Sequence, residues 1–154
     1  MSLLSTNLSL WNIRMTEEMV SIVEFSSDIA SAEAPELLPE GSYPAQLIAS
    51  EVKVSNNTGN KYAALTFHIN VNDFPADFPV ENAPDGVKII YRRVSLEDTP
   101  NGRYGLHKFC EAVGAPMSSR IDVAEWQGYE ATVEVAHSEW NGEGRTEITS
   151  VASA

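Results

Sequence analysis

Three histidines, one cysteine and a few neighbouring acids are the side chains from which this chain would have to build a reaction centre. His68, His107 and His137 are far apart and none sits in an HExxH or comparable ligand spacing, so each reads as a surface or half-buried histidine rather than a metal ligand. Cys110 falls with Leu106, Phe109 and Val113 on one helical stripe. It reads as a small buried hydrophobe, because a reactive thiol needs exposure and a lowered pKa. Glu97 with Asp98, and Asp73 with Asp77, read as solvated loop acids or helix-capping residues. No nucleophile elbow, phosphate-cradling loop or dinucleotide fingerprint occurs. The expectation is a protein that is not an enzyme, with no catalytic residues, no metal and no cofactor.

What remains is a surface. Tyr62, Thr66 and His68 alternate against Leu65, Phe67 and Ile69, while Lys88, Ile90 and Arg92 alternate against Ile89 and Tyr91. If those strands are neighbours, a ring, an imidazole and two cations meet on one outer face. Sequence-tolerant binding of a nucleic-acid single strand needs that mixture, rings for bases to stack on and cations to follow the phosphates. The same residues also describe an ordinary solvated sheet face. Arg93, in phase with Tyr91, is expected either inward near a barrel end or displaced by a bulge. Two turns would lengthen a groove: SNNTGNK at 55–61 carries Lys61, and HSEWNGEGR at 137–145 carries Trp140 and Arg145. Trp140, amid Ser, Glu, Asn and Gly, has little local core to enter and suits stacking or a partner contact; Trp126 reads as core or as a cap on a barrel end. The candidate DNA-binding residues are Lys53, Lys61, Tyr62, His68, Lys88, Arg92, Trp140 and Arg145.

Period-two strands must position these side chains. Residues 43–54 form a first strand in which Leu47 beside Ile48 predicts a bulge that turns Ile48, Val52 and Val54 inward. Residues 62–71 complete a hairpin. Residues 72–86, with three prolines and two Asp-Phe pairs, form a long loop. Strands follow at 87–95, 129–136 and 145–152, with a helix at 103–113 stopped by Gly114 and Pro116. So short a helix must be held by packing on the sheet. Five strands with one helix between the third and fourth predict a mainly-β, five-stranded OB-fold-like Greek-key barrel, the helix plugging one end and closure removing the exposed edges. The rival is a small sandwich with a decorating helix. The domain is expected at 39–154, after an acidic, mostly irregular N-terminal arm at 1–38. Within the arm, residues 15–29 suit a short amphipathic helix around Met19, Ile22, Val23 and Phe25, and Leu3, Leu4, Leu8, Leu10 and Trp11 suit an assembly role.

At 154 residues the chain is long enough for one domain. Ten bases against 22 acids give a net charge of -12, which taken globally argues against a nucleic-acid partner. The acids concentrate at the ends: residues 1–40 hold one base and seven acids and 111–154 two and eight, whereas 41–110 are balanced at seven each. An anion-binding strip is therefore sought between Lys53 and Lys108. No window of 18 apolar residues spans a membrane, no secretory signal is evident, and the lone Cys110 fits a reducing, intracellular setting.

The ordered motifs LPEGSYPAQLIASEVKVSNNTGNKYAALTFHI at 38–69, GRYGLHKFCEAVG at 102–114 and WQGYEATVEVAHSEWNGEGRTEI at 126–148 resemble the small phage-encoded single-stranded DNA-binding proteins of OB-fold type, over about residues 38–151. That resemblance implies that Lys53, Lys61, Tyr62, Lys88, Arg92 and Trp140 contact single-stranded DNA during phage replication or recombination in the host cytoplasm. Proteins of this class often recruit replication partners through an acidic C-terminal tail. This chain departs from the pattern, since its last acid is Glu147 and its acidic segment lies at 16–40. The alternative is a phage structural or capsid-associated protein-interaction module on a small β domain, a virion component forming a homo-oligomer through the N-terminal arm.

Overall fold

Alternating burial builds the molecule. Tyr43, Ala45 and Leu47, then Leu65, Phe67 and Ile69, then Ala131, Val133 and Val135 all turn inward and are buried. In the computed structural model, which describes residues 21–154, they belong to a five-stranded antiparallel sheet of β1 (Gly41–Val54), β2 (Lys61–Ile69), β3 (Val87–Ser95), β4 (Glu130–Trp140) and β5 (Glu143–Ser153). One α-helix, α1 (Pro100–Val113), follows β3. All six elements lie in a unit running from Pro35 to Ala154. The described residues of the preceding unit, 21–34, hold a 3-10 turn at Ile29–Ser31 that Asp28 caps, its carboxylate accepting from the Ala30 amide. The amphipathic helix expected at 15–29 does not form over 21–28; its earlier residues, and Leu3, Leu4, Leu8, Leu10 and Trp11, lie outside the described residues.

The strand order is β3-β2-β1-β4-β5, so β3 and β5 are edges. The expected closed OB-fold-like Greek-key barrel is corrected to an open sheet with one helix after the third strand. Closure would need a β3–β5 ladder. The edges come within 8 Å of each other between Cα atoms, but the bridge between them is made by side chains: an Arg93 guanidinium nitrogen lies 4.0 Å from a Glu147 carboxylate oxygen. Asn101, Gly105 and Lys108 of α1 line a cleft of about 640 Å³ together with Tyr91 and Ser95 of β3 and Thr149 and Val151 of β5. The helix therefore lies along the gap between the edges, where the barrel reading had it plugging an end. Charged edge side chains and a covering helix are also the means by which open sheets resist pairing with other chains.

The register shift between Leu47 and Ala49 is the expected bulge, with a different consequence. Ile48 and Ala49 both stay outside, Ser50 turns in, and Val52 and Val54 are exposed rather than inward. Ser50 is accommodated because its hydroxyl donates to the Val123 carbonyl at 2.6 Å. A second shift, between Ala63 and Leu65 on the β2–β3 ladder, buries Val94 and leaves both Arg92 and Arg93 outside. α1 begins three residues earlier than its apolar stripe suggested, because Thr99 caps it by accepting from the Gly102 amide at 3.0 Å and Pro100 supplies a preset first position. Phe109, Cys110 and Val113 bury its inner face, with the Trp126 ring 5.2 Å from that of Phe109. Leu38 is buried in the same core, and the His137 ring fixes it by donating from Nε2 to its carbonyl at 2.7 Å.

Candidate functional site

The candidate residues fall into three groups. The first surrounds the β1–β2 turn. Ser55 and Gly59 amides donate to the Asn60 and Ser55 carbonyls, both at 2.8 Å, which closes the turn and pairs Val54 with Lys61 and Lys53 with Tyr62. On its other side Tyr62 pairs with Ser95, and the Leu96 amide donates to the Lys61 carbonyl at 3.0 Å. Lys61, Tyr62, Arg92 and Arg93 thereby line one open cleft of about 600 Å³, with Val54 and the Asn-rich turn on one rim and Glu97 on the other. Arg93 reaches it only because of the β2–β3 register shift. Lys53 is held 3.3 Å from Glu51, an exposed pair of small energetic value.

The second group lies at the other end of the β2–β3 ladder, where His68 pairs with Lys88. His68 is half-buried and donates from Nε2 to the Asp85 carbonyl at 2.8 Å, so it anchors the long connection instead of presenting a free ring. Lys88 is exposed.

The third group is the β4–β5 hairpin. The turn expected over 137–144 is only Asn141–Gly142: both have positive φ, 52° and 79°, and the strands extend to Trp140 and Glu143. An Asn-Gly pair between two strands is the sequence signal for this tight turn. Trp140 is therefore a strand residue, 60% exposed, with the Arg145 guanidinium 5.5 Å from its ring centroid. By register this hairpin extends past the Gly41 end of β1, whereas the Lys61 cleft lies past the Val54 end. Lys61, Tyr62 and Arg92 are thus brought together, as are Trp140 and Arg145, and as are His68 and Lys88.

The chemistry open to these groups is recognition of anions and rings. Among the described residues no three His, Cys, Asp or Glu side chains gather as a metal would require, and no helix is long and apolar enough to cross a membrane. The groups held away from their ordinary pKa lie elsewhere. Burial raises the Cys110 thiol; burial, partly opposed by Arg93, raises the Tyr91 phenol; burial and the Asp77 carboxylate raise the Tyr43 phenol, which donates to the Pro39 carbonyl.

Fold and surface together define a small β domain, an open antiparallel sheet covered by one helix. The chain belongs to the family described as protein of unknown function (DUF669), which matches residues 25–153. No curated protein matches the chain. The expected membership of the phage-encoded OB-fold single-stranded DNA-binding proteins is corrected accordingly. The sheet is open, and the family description carries no phage, replication, recombination or DNA-binding term.

Proposed function

We propose that this protein is a non-catalytic interaction module that associates with further copies of itself through the segment ahead of its sheet. One observation carries the reading: Ile22, Val23, Phe25 and Ile29 are 70%, 66%, 67% and 70% exposed. Single exposed apolar side chains are ordinary, but a run of large ones marks a surface that a partner covers. Full burial of each such side chain contributes about 1.5–3 kcal/mol, enough for a few to drive association.

Sedimentation analysis of the full chain across a concentration series tests this. Concentration-dependent association is expected, and Ile22→Ser with Phe25→Ser should abolish it while leaving the thermal melt of the sheet unit unchanged. A chain that stays monomeric at hundreds of micromolar overturns the reading. Oligo(dT) titration in low salt is the companion measurement, and tight binding by such a monomer would make the chain a nucleic-acid binder instead.

A further inference from the structure

We infer that the cleft beside the β1–β2 turn receives residues 22–36 of a second copy. This rests on the assembly reading above and adds the place where the segment seats. Charge complementarity carries it. The chain has a net charge of -12, yet three of its ten bases, Lys61, Arg92 and Arg93, line this one cleft. Arg93 is partly engaged by Glu147, whereas neither Lys61 nor Arg92 has an ion-pair partner among the described residues. The segment supplies the opposite sign: Glu24, Asp28, Glu33 and Glu36 alternate with Ile22, Val23, Phe25 and Ile29, and no base occurs between Arg14 and Lys53.

The apolar side of the match is also present. Val54, 56% exposed, and the half-buried Tyr62 border the cations. A volume of about 600 Å³ takes a few side chains of a short peptide. A nucleic-acid strand asks for cations repeated along its phosphates and for rings presented to its bases. Here Lys53 is paired with Glu51, Glu97 enters the cleft wall, and Lys88 stands at the far end of β2–β3 beside a tethered His68. Mixed cations and apolar carbons in a short cleft fit an acidic, apolar peptide better.

Complementary charge reversal in the full chain tests the placement by sedimentation, with folding checked by circular dichroism. Lys61→Glu with Arg92→Glu, and separately Glu24→Lys with Asp28→Lys, should each weaken self-association at least about tenfold, a change worth 1.4 kcal/mol. Mixing the two folded variants should restore association, because opposite charges again face each other. If the mixture stays dissociated, or if the cleft variant associates like the parent while Ile22→Ser with Phe25→Ser does not, the segment docks elsewhere and only the assembly reading survives. If the parent itself never associates, both fall. If the cleft variant loses oligo(dT) binding but keeps its self-association, the cleft belongs to nucleic acid and the inference is overturned.

Discussion

The imidazole of His68 donates from Nε2 to the carbonyl of Asp85, 2.8 Å away, latching the end of the 70–86 connection onto the sheet. Next to that latch Gly86 has φ +85°, and a Cβ there would lie 2.4 Å from His68 Nε2 and 2.5 Å from the Ile69 carbonyl oxygen. The same connection sends Phe78 into the core, with the Phe74 ring edge-on to it at 5.1 Å. A ring that alternation alone assigns to a binding face therefore fastens a loop.

Two substitutions separate latch from clash. His68→Ala should cost about 1 kcal/mol, the worth of one net hydrogen bond. Gly86→Ala should cost more, about 2 kcal/mol, since it meets both the positive φ and the Ile69 carbonyl. Combining them should bring no recovery in urea melts, because the backbone obstacle remains when the ring is gone. Full recovery in the double variant would show the ring to be the only obstacle.

The start of the folded unit is a second point of test. Leu38 is 2% exposed and held by His137, so it belongs with the sheet. A chain beginning at Pro35 should keep the parent's cooperative melt, while Leu38→Ala should cost about 2–4 kcal/mol through a core cavity. An unfolded Pro35 chain would mean that residues 1–34 contribute to the core.

Cys110 gives a chemical readout of the same packing. It is wholly buried on the inner face of α1, so a thiol reagent should label it slowly in the native state and rapidly in denaturant, and Cys110→Ala should cost about 1–2 kcal/mol. Burial raises its pKa above 9.0, and those of Tyr91 and Tyr43 above 10.0, so the folded state holds these protons more tightly than the unfolded chain does. The associated stability is complete at neutral pH and is lost as pH climbs past 9.0 and then 10.0. In Cys110→Ala the alkaline decline should begin later, near the tyrosine range. An unchanged onset would place the thiol outside the linkage.

Alternation made the five strands legible in the sequence, because each inward face is set by residues two apart, and the helical spacing of Leu106, Phe109 and Val113 did the same for the buried Cys110. That the sheet stays open was not legible, since it depends on how β3 meets β5, and the Arg93–Glu147 approach joins residues with no local relation. Strand phase places Tyr62 and Arg92 outward and the 55–61 turn carries Lys61, whereas Arg93 depends on a register shift written in the pairing of two strands. Two local signals define what alternation leaves out: Thr99-Pro100 as a helix start, and Asn141-Gly142 as a two-residue turn that makes Trp140 a strand residue. His68 gave no warning, because its partner is a backbone carbonyl 17 residues away.

Two glycines of α1 should respond oppositely to the same change. Helix propensity alone favours Gly→Ala by about 0.5–1 kcal/mol at either position. Around Gly105 a Cβ would meet nothing within 4 Å, so Gly105→Ala should raise stability by roughly that amount. Gly102 is buried in the first turn, its amide donating to the Thr99 hydroxyl, and a Cβ there would lie 2.3 Å from the Glu97 carbonyl oxygen. Backbone cannot step aside as a flexible side chain can, so Gly102→Ala must shift the 95–99 connection or disturb the cap, whose loss alone costs about 1 kcal/mol. Chemical denaturation of the two variants should therefore move their midpoints in opposite directions from the parent's. Equal stabilisation of both would mean that the connection into α1 is looser than the Thr99 cap implies, and that the helix is positioned by its Phe109 and Cys110 face alone.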